Sequence, residues 1–249
     1  MLEVCVEDVG GLQAAVTGGA DRVELCSALP LGGLTPSAAM IEAAARAPVP
    51  VHVLLRPRAG DFLYDAAEEE LISRDLQKAA ALGLVGVVIG ASRRNGELDI
   101  PVLTRLVARA REAGEKRGAP LSLTLHRAFD LCPDPVASLE QAISLGFDRV
   151  LTSGGAATAM AGRAVLAALV SRARGRIRIL AGGGINPHDV GAILSTGVDE
   201  VHASCRMSVE EPDLRLVALG FVDAHPKRTD ASRVAALITA MNNWRQANL

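Results

Sequence analysis

Thiols, carboxylates and imidazoles recur at every second residue in several short segments of the chain. In residues 2–6, Glu3 and Cys5 alternate with apolar residues, and residues 22–26 repeat the alternation with Glu24 and Cys26. This period is typical of a β-strand that turns its polar set to one face and its apolar set to the other. Carboxylates and imidazoles gathered on one face can transfer protons, and thiolates can bind a soft ion such as Cu(I).

The same polar face continues through other segments of the sequence. Its charged and imidazole members are Glu3, Arg22, Glu24, His52, Arg56, His126, Glu200 and His202. One interpretation is a buried ion-pair network that only fixes the strand register. The other is a small-molecule or metal site, because burial and neighbouring charges shift pKa values at such sites. Under the second interpretation, Glu24 and His126 are the candidate catalytic residues.

Cys5 and Cys26 lie 21 residues apart and are predicted to end two neighbouring strands on the same face. Because such strands lie about 4.8 Å apart, the two thiolates could share one Cu(I) ion, or could form a disulfide under oxidation. A third interpretation is that two small buried side chains only fill the core. Cys132 and Cys205 stand alone in the sequence.

Glycine-rich and arginine-rich segments after predicted strands indicate a second kind of chemistry. Gly182, Gly183 and Gly184 precede Asn186-Pro187, where a helix is predicted to begin. This arrangement can direct backbone amides at an anion, although the glycines could instead serve only as a tight turn. Other candidate residues for binding a phosphate or carboxylate offer guanidinium or hydroxyl groups: Arg56, Arg58, Ser153, Ser204 and Arg206.

A sequence pattern that occurs four times indicates which secondary-structure elements position these residues. At Gly19, Gly83, Gly146 and Gly197, a glycine is followed by two residues and then by a stretch rich in β-branched residues. The glycine suits the left-handed position that ends a helix, and the stretch suits a strand. We therefore predict eight strands joined by helices, near residues 2–6, 22–26, 51–56, 86–90, 121–126, 149–153, 176–181 and 200–204.

Eight alternating units in 249 residues match an α/β fold, a single (β/α)8 TIM-like barrel. A doubly wound open sheet also alternates, but its dinucleotide-binding form needs a glycine fingerprint after the first strand, which residues 6–11 lack. The prediction is one domain over residues 1–249, with 207–229 a connection of undefined order before the C-terminal helix. In such a barrel the functional residues lie at the carboxyl ends of the strands.

Composition narrows the class of protein. Hydrophobic residues make up 49% of the chain, and no apolar run approaches the ~18 residues of a membrane span. A net charge of −2 and an aromatic content of 2% argue against nucleic-acid binding. The N-terminus lacks a basic segment before an apolar one, so a cytoplasmic location is expected, where four cysteines stay free thiols or ligands.

Several motifs together resemble the successive signatures of the CutC copper homeostasis family. They are Glu3-Val4-Cys5-Val6, residues 18–27, residues 32–37, residues 56–64, His126-Arg127-Ala128-Phe129-Asp130, Leu151-Thr152-Ser153-Gly154 and Gly182-Gly183-Gly184-Ile185. The resemblance runs from residue 3 to about residue 206. It implies a TIM-like barrel in the cytoplasm and a role in handling intracellular Cu(I). It also implies that Cys5 and Cys26 are the copper ligands.

Two functions of different classes remain open from the sequence. One is copper homeostasis, with Cu(I) bound by Cys5 and Cys26 and no turnover. The other is an enzyme that acts on a small phosphorylated or carboxylated metabolite by acid–base chemistry. Assembly into a homo-oligomer through helix faces is expected, and neither nucleic acid nor membrane is an expected partner.

Overall fold

A computed structural model describes residues 1–210 and 213–248. At its centre is a closed barrel of eight parallel strands in sequence order, so that the eighth strand pairs with the first. The strands are β1 Leu2–Val6, β2 Arg22–Leu25, β3 Val51–Leu54, β4 Gly86–Ile89, β5 Ser122–Leu125, β6 Arg149–Thr152, β7 Arg178–Gly182 and β8 Glu200–Ala203. The predicted (β/α)8 TIM-like barrel is confirmed.

Helices follow the strands and cover the outside of the barrel. They are α1 Val9–Thr17, α2 Ala38–Ala44, α3 Ala66–Ala81, α4 Ile100–Arg117, α5 Pro135–Leu145, α6 Arg163–Ala173, α7 Val190–Leu194, α8 Leu214–Ala218 and α9 Ala231–Ala247. Two 3-10 helices, Leu29–Leu31 and Arg127–Leu131, lie in the loops after β2 and β5. Within the described ranges, no helix combines the length and the apolar character that crossing a bilayer requires.

The repeated glycine turn forms as predicted. Gly19, Gly83, Gly146 and Gly197 have φ angles between +85° and +89°. This is the left-handed region, which glycine enters without the steric penalty of a Cβ atom. Each of the four glycines therefore ends a helix and starts the turn into the next strand.

The helix predicted to begin at Asn186-Pro187 starts later than expected. α7 begins at Val190 and has only five residues. Asn186 Oδ1 accepts hydrogen bonds from the amides of His188 at 2.9 Å and Asp189 at 3.1 Å. These amides are therefore already occupied, and the start of this helix does not add to an anion site as the sequence suggested.

The barrel wall separates two layers of side chains. Val4, Val23 and Leu123 point outward and belong to the main apolar core between strands and helices. The charged side chains of the alternating strands, Glu3 and Arg22 among them, are buried inside the barrel. The predicted inward and outward faces are therefore confirmed, and the helix ring covers only apolar residues of these strands.

Residues 206–229 form a long connection between β8 and α9. Strand β9, Arg206–Ser208, pairs antiparallel with β10, Lys227–Thr229, and α8 lies between them in sequence. Part of the connection predicted over 207–229 is therefore regular, while Glu211 and Pro212 lie outside the described residues.

Candidate functional site

The amino-terminal half of the barrel interior holds a network of opposite charges. Arg22 on β2 forms ion pairs with Glu3 on β1 and Glu200 on β8, and Arg149 Nε on β6 lies 3.3 Å from Glu200 Oε2. All four side chains are buried. We call Glu3, Arg22, Arg149 and Glu200 the barrel floor. The floor fits the interpretation of an ion-pair network, because buried charges require partners.

Above the floor, the imidazole of His202 bridges two carboxylates. Its Nδ1 lies 2.8 Å from Glu3 Oε1, and its Nε2 lies 3.4 Å from Glu24 Oε2. The strand register produces this arrangement, because Glu3 pairs with His202 across β1 and β8, and Cys5 pairs with Glu24 across β1 and β2. Although burial opposes it, the Cys5 sulfur and the two carboxylates raise the pKa of His202 well above its usual value.

The two carboxylates around His202 differ in their protonation. Burial opposes the ionisation of Glu3, but the hydrogen bond with His202 and the charge of Arg22 hold the pKa of Glu3 well below its usual value. Burial raises the pKa of Glu24 to about 7, and the charge of Glu3 adds to this effect while His202 opposes it. Glu24 can therefore exchange a proton near neutral pH, as a general acid or base must.

Glu3, Glu24 and His202 also form a group of potential metal ligands, because their donor atoms lie within 4.8 Å of one another. The oxygens of Glu3 are already shared between Arg22 and His202. Arg22 also places a positive charge beside the group. A divalent cation does not fit this position, since the lone pairs are occupied and the neighbouring guanidinium repels it.

A cavity of about 240 Å³ opens above His202 at the carboxyl end of the barrel. We call it the mouth cavity. Its wall includes most of the site residues predicted from the sequence: Cys5, Glu24, Cys26, Arg56, His126, Gly183, Gly184, Ser204 and Arg206. Arg58, Ser153 and Gly182 do not line it. The wall also includes residues that were not predicted as part of the site, among them Leu29, Phe62, Arg127 and Leu151.

Cys5 and Cys26 both reach the mouth cavity, but at different heights. Cys5 pairs with Glu24, so Cys26 lies two residues further along the chain, just after the end of β2. Both are free thiols and pack in one small buried cluster with Leu54 and Val88 inside the barrel. Burial, followed by the charge of Glu24 and the Cys5 sulfur, raises the pKa of the Cys26 thiol well above its usual value. Without a bound metal, Cys26 is therefore protonated at neutral pH.

The guanidinium groups of Arg56 and Arg58 donate hydrogen bonds to acceptors within the protein. Arg56 Nη1 donates to the carbonyls of Leu31 and Gly33, both at 2.9 Å, and Arg56 Nη2 donates to the Gly60 carbonyl at 2.7 Å. Arg58 points away from the cavity and pairs with Glu68. The two arginines therefore hold the loops after β2 and β3 in place, while the buried Nε of Arg56 has no hydrogen-bond partner among the described residues.

His126 is a buried and neutral histidine in the cavity wall. Its Nδ1 accepts a hydrogen bond from the Ala128 amide at 3.1 Å, and its ring stacks on Phe62 with a centroid distance of 4.7 Å. Burial, with a contribution from the charge of Arg56, lowers the pKa of His126 to about 3. Because Nδ1 is an acceptor, the proton lies on Nε2, where His126 can donate a hydrogen bond rather than act as a base.

The opposite side of the mouth cavity is organised around Asp130. Its carboxylate accepts hydrogen bonds from the Thr152 hydroxyl at 2.5 Å, from the Ser153 and Gly155 amides at 3.1 Å, and from Arg127 Nε at 2.7 Å. Ser153 is fully buried by these contacts, so it supports the loop after β6 and does not face the cavity. Reasoning from the sequence missed the roles of both Arg127 and Asp130.

The fold defines this chain as a TIM-barrel protein, and its mouth cavity opens at the carboxyl ends of the strands. The family model described as CutC family matches residues 1–207. The chain belongs to the CutC family, as the motifs predicted.

Named relatives and a solved structure agree with this membership. A CutC family protein of Sinorhizobium medicae is 52% identical over 238 residues, which cover 95% of this chain and 94% of the relative. One of Vibrio campbellii is 41% identical, with 97% and 98% covered. The crystal structure of a CutC protein from Streptococcus agalactiae, provisionally assigned to copper homeostasis, has a TM-score of 0.75 and 31% identity and covers 82% of this chain and 98% of that chain.

More distant structures share the architecture. Phosphoribosyl anthranilate isomerase from Thermococcus kodakaraensis has a TM-score of 0.57 and 14% identity, with 97% of this chain and 98% of that chain covered. At this identity the likeness shows the barrel fold alone.

Proposed function

We propose that the chain serves copper homeostasis by binding one Cu(I) ion in the mouth cavity through Cys5 and Cys26. The observation that carries this proposal is that both thiols line the same cavity and belong to the same buried cluster. Cysteine sulfur is a soft donor, which Cu(I) prefers to the carboxylates nearby. Leu54 and Val88 complete the cluster and give the ion an apolar environment.

Protonation of the thiols couples copper binding to pH. Burial and the charge of Glu24 raise the pKa of Cys26, so Cu(I) must displace the proton of this thiol. Metal affinity therefore increases as the pH rises, because fewer protons remain to be displaced.

The test is a Cu(I) titration under anaerobic, reducing conditions against a chromogenic chelator. We expect about one tightly bound Cu(I) per chain, because the two thiols form one ligand pair. The double variant Cys5→Ser/Cys26→Ser should lose this site. Cys132→Ser is the matched control, since Cys132 is a free thiol that does not line the mouth cavity. Equal affinity in the double variant and the wild type would refute the proposal.

A second function, acid–base chemistry on a small phosphorylated or carboxylated metabolite, is favoured by a separate observation. The amides of Gly183 and Gly184 take part in no hydrogen bond among the described residues, and both glycines line the cavity together with Glu24. An anion held at these amides would place the rest of the molecule toward Glu24 and His126. Glu24 would then move a proton, and His126 Nε2 would donate a hydrogen bond.

The second function is tested by thermal stability in the presence of phosphorylated and carboxylated metabolites. Wild-type protein should be stabilised by at least one of them, because a ligand that binds only the folded state raises its stability. Gly183→Ala should reduce this shift. Gly175→Ala is the matched control, since Gly175 also has a positive φ, +72°, but lies in the turn before β7 with open space around it. Stabilisation that persists in Gly183→Ala would place the ligand elsewhere.

A further inference from the structure

Four arginines lie around the carboxyl end of the barrel, and their hydrogen bonds separate them into two kinds. Arg56 donates to three backbone carbonyls, and Arg58 pairs with Glu68 away from the cavity. Arg206 lies 3.5 Å from Glu7. These three either stabilise loops or face a carboxylate. Arg127 is arranged differently.

Arg127 is held at two of its three guanidinium nitrogens. Its Nε donates to Asp130 at 2.7 Å, and its Nη2 donates to the Ser153 hydroxyl at 2.8 Å. Nη1 donates to no acceptor in residues 1–210 and 213–248. This atom lies 3.7 Å from the position that a Cβ would take on Gly183. The Nη1 amino group, with its two N–H bonds, is therefore presented to the cavity beside the glycine loop.

Asp130 fixes the orientation of Arg127 and the loop after β6 together. The hydroxyl of Thr152 and the amides of Ser153 and Gly155 all donate to its carboxylate. Asp130 accepts only from Nε of Arg127, so the ion pair leaves the Nη1 hydrogens available to a ligand. The guanidinium plane is fixed before any ligand arrives, which lowers the entropic cost of binding.

The glycine loop supplies the other donors of this side. Gly183 and Gly184 have φ angles of +104° and +73°. The carbonyl of Gly183 accepts from the Ala159 amide at 2.8 Å, which anchors the loop, while the amides of Gly183 and Gly184 stay free of other bonds within the part of the chain that the structure describes. Two neighbouring amides without a partner can donate to one anion.

We infer that Arg127 Nη1 and the amides of Gly183 and Gly184 form a subsite for the phosphate group of a phosphate monoester, with Asp130 as a positioning residue. The inference rests on the second proposed function and specifies its substrate class. Three separate donors match the three terminal oxygens of a phosphate monoester, whereas a carboxylate offers only two oxygens. The Nε–Nη2 edge of Arg127, through which a guanidinium can bind a carboxylate with two hydrogen bonds, is taken by Asp130 and Ser153.

The test is a titration with inorganic phosphate at constant ionic strength, followed by calorimetry and by thermal unfolding, with acetate as the carboxylate probe. Arg127→Gln should raise the Kd for phosphate at least tenfold. Arg172→Gln should leave it unchanged, because Arg172 is a surface arginine on α6 that pairs with Glu140 outside the cavity. Asp130→Asn should weaken phosphate binding by a smaller factor, since Arg127 remains but is no longer fixed.

The outcomes separate this inference from the function on which it rests. If phosphate binds wild type and Arg127→Gln equally but binds Gly183→Ala weakly, the anion function stands and the role of Arg127 is refuted. If acetate binds more tightly than phosphate, the substrate class is wrong. If neither anion binds the wild type, both proposals fail. Should Arg127→Gln unfold in chloride alone, Arg127→Lys decides, with an intermediate Kd expected because its ammonium group cannot be held by both Asp130 and Ser153.

Discussion

On the β1–β2–β8 side of the barrel the polar side chains bind one another, whereas on the β5–β6–β7 side the carboxylate of Asp130 accepts from backbone amides, from hydroxyls and from Arg127. Glu3, Glu24 and His202 face each other across short distances, and their charges depend on each other. Asp130 is instead enclosed by amides and hydroxyls that cannot change charge. The first side responds to protons, and the second offers a fixed arrangement of donors.

The comparison predicts that the largest loss of stability follows from removing the central cation of the first side. Arg22→Met should lower the free energy of unfolding by about 3–5 kcal/mol, because it leaves Glu3 and Glu200 buried without their common partner. Denaturant unfolding measures this loss. A second substitution, Glu3→Gln, should restore part of it. A loss below about 1 kcal/mol would show that the floor does not depend on Arg22.

In the apolar layer between the barrel wall and the helices, equivalent substitutions on the two sides should cost similar stability. Val23 on β2 and Val150 on β6 are both fully buried against the helices. Val23→Ala and Val150→Ala should each cost about 2–3 kcal/mol, since each removes buried methyl groups and leaves a cavity. Arg58→Ala, which breaks a half-exposed ion pair, should cost less than about 1 kcal/mol. If the two valine variants differed widely, the contrast between the sides would extend beyond the barrel interior.

On the second side, Asp130→Asn should cost about 1–3 kcal/mol, because an amide accepts fewer of the hydrogen bonds that the carboxylate now accepts. The loss should be local. Hydrogen exchange should accelerate at the amides of Ser153 and Gly155 while the amides of β1 and β2 keep their protection. Uniformly faster exchange across the barrel would indicate that Asp130 supports the whole fold.

The smallest effect concerns pH. The folded-state pKa of His126 is about 3, below the unfolded value of about 6.5. Below pH 6.5 the unfolded chain therefore binds a proton that the native state does not, and stability falls as the pH falls toward 3. From pH 6.5 to 5.5, His126→Gln should lose about 1 kcal/mol less stability than the wild type. Parallel pH profiles of the two proteins would show that His126 is not buried in neutral form.

Strand periodicity was enough to predict the interior because successive side chains of a strand alternate by geometry. Glu3, Glu24 and His202 lie where the alternation puts them, and membership of the CutC family followed from motifs on the same strands. Arg149 was missed because β6 reads Arg-Val-Leu-Thr, which has no clean polar alternation. The role of Arg149 is seen only in the folded barrel, where its side chain lies beside that of Glu200.

Residues beyond the strand ends could not be placed in this way. Arg58 follows the end of β3, where the loop and not the strand decides direction, and it turns to Glu68. Arg127 and Asp130 lie in a 3-10 helix of five residues. So short a helix has no repeating pattern of polar and apolar residues from which it could be predicted. The motif from His126 to Asp130 contained the available signal, since a carboxylate three residues after an arginine can pair with it on one turn of helix.

The floor also bears on the order in which the chain can fold. Glu3 is synthesised almost first, while Glu200 and His202 are separated from β1 by nearly two hundred residues. A nascent chain that has not yet reached β8 has strand β1 with an unpaired edge and Arg22 with only one of its carboxylates. Because contacts of such long sequence separation form late, closure of the ring is expected to be the last and slowest cooperative step.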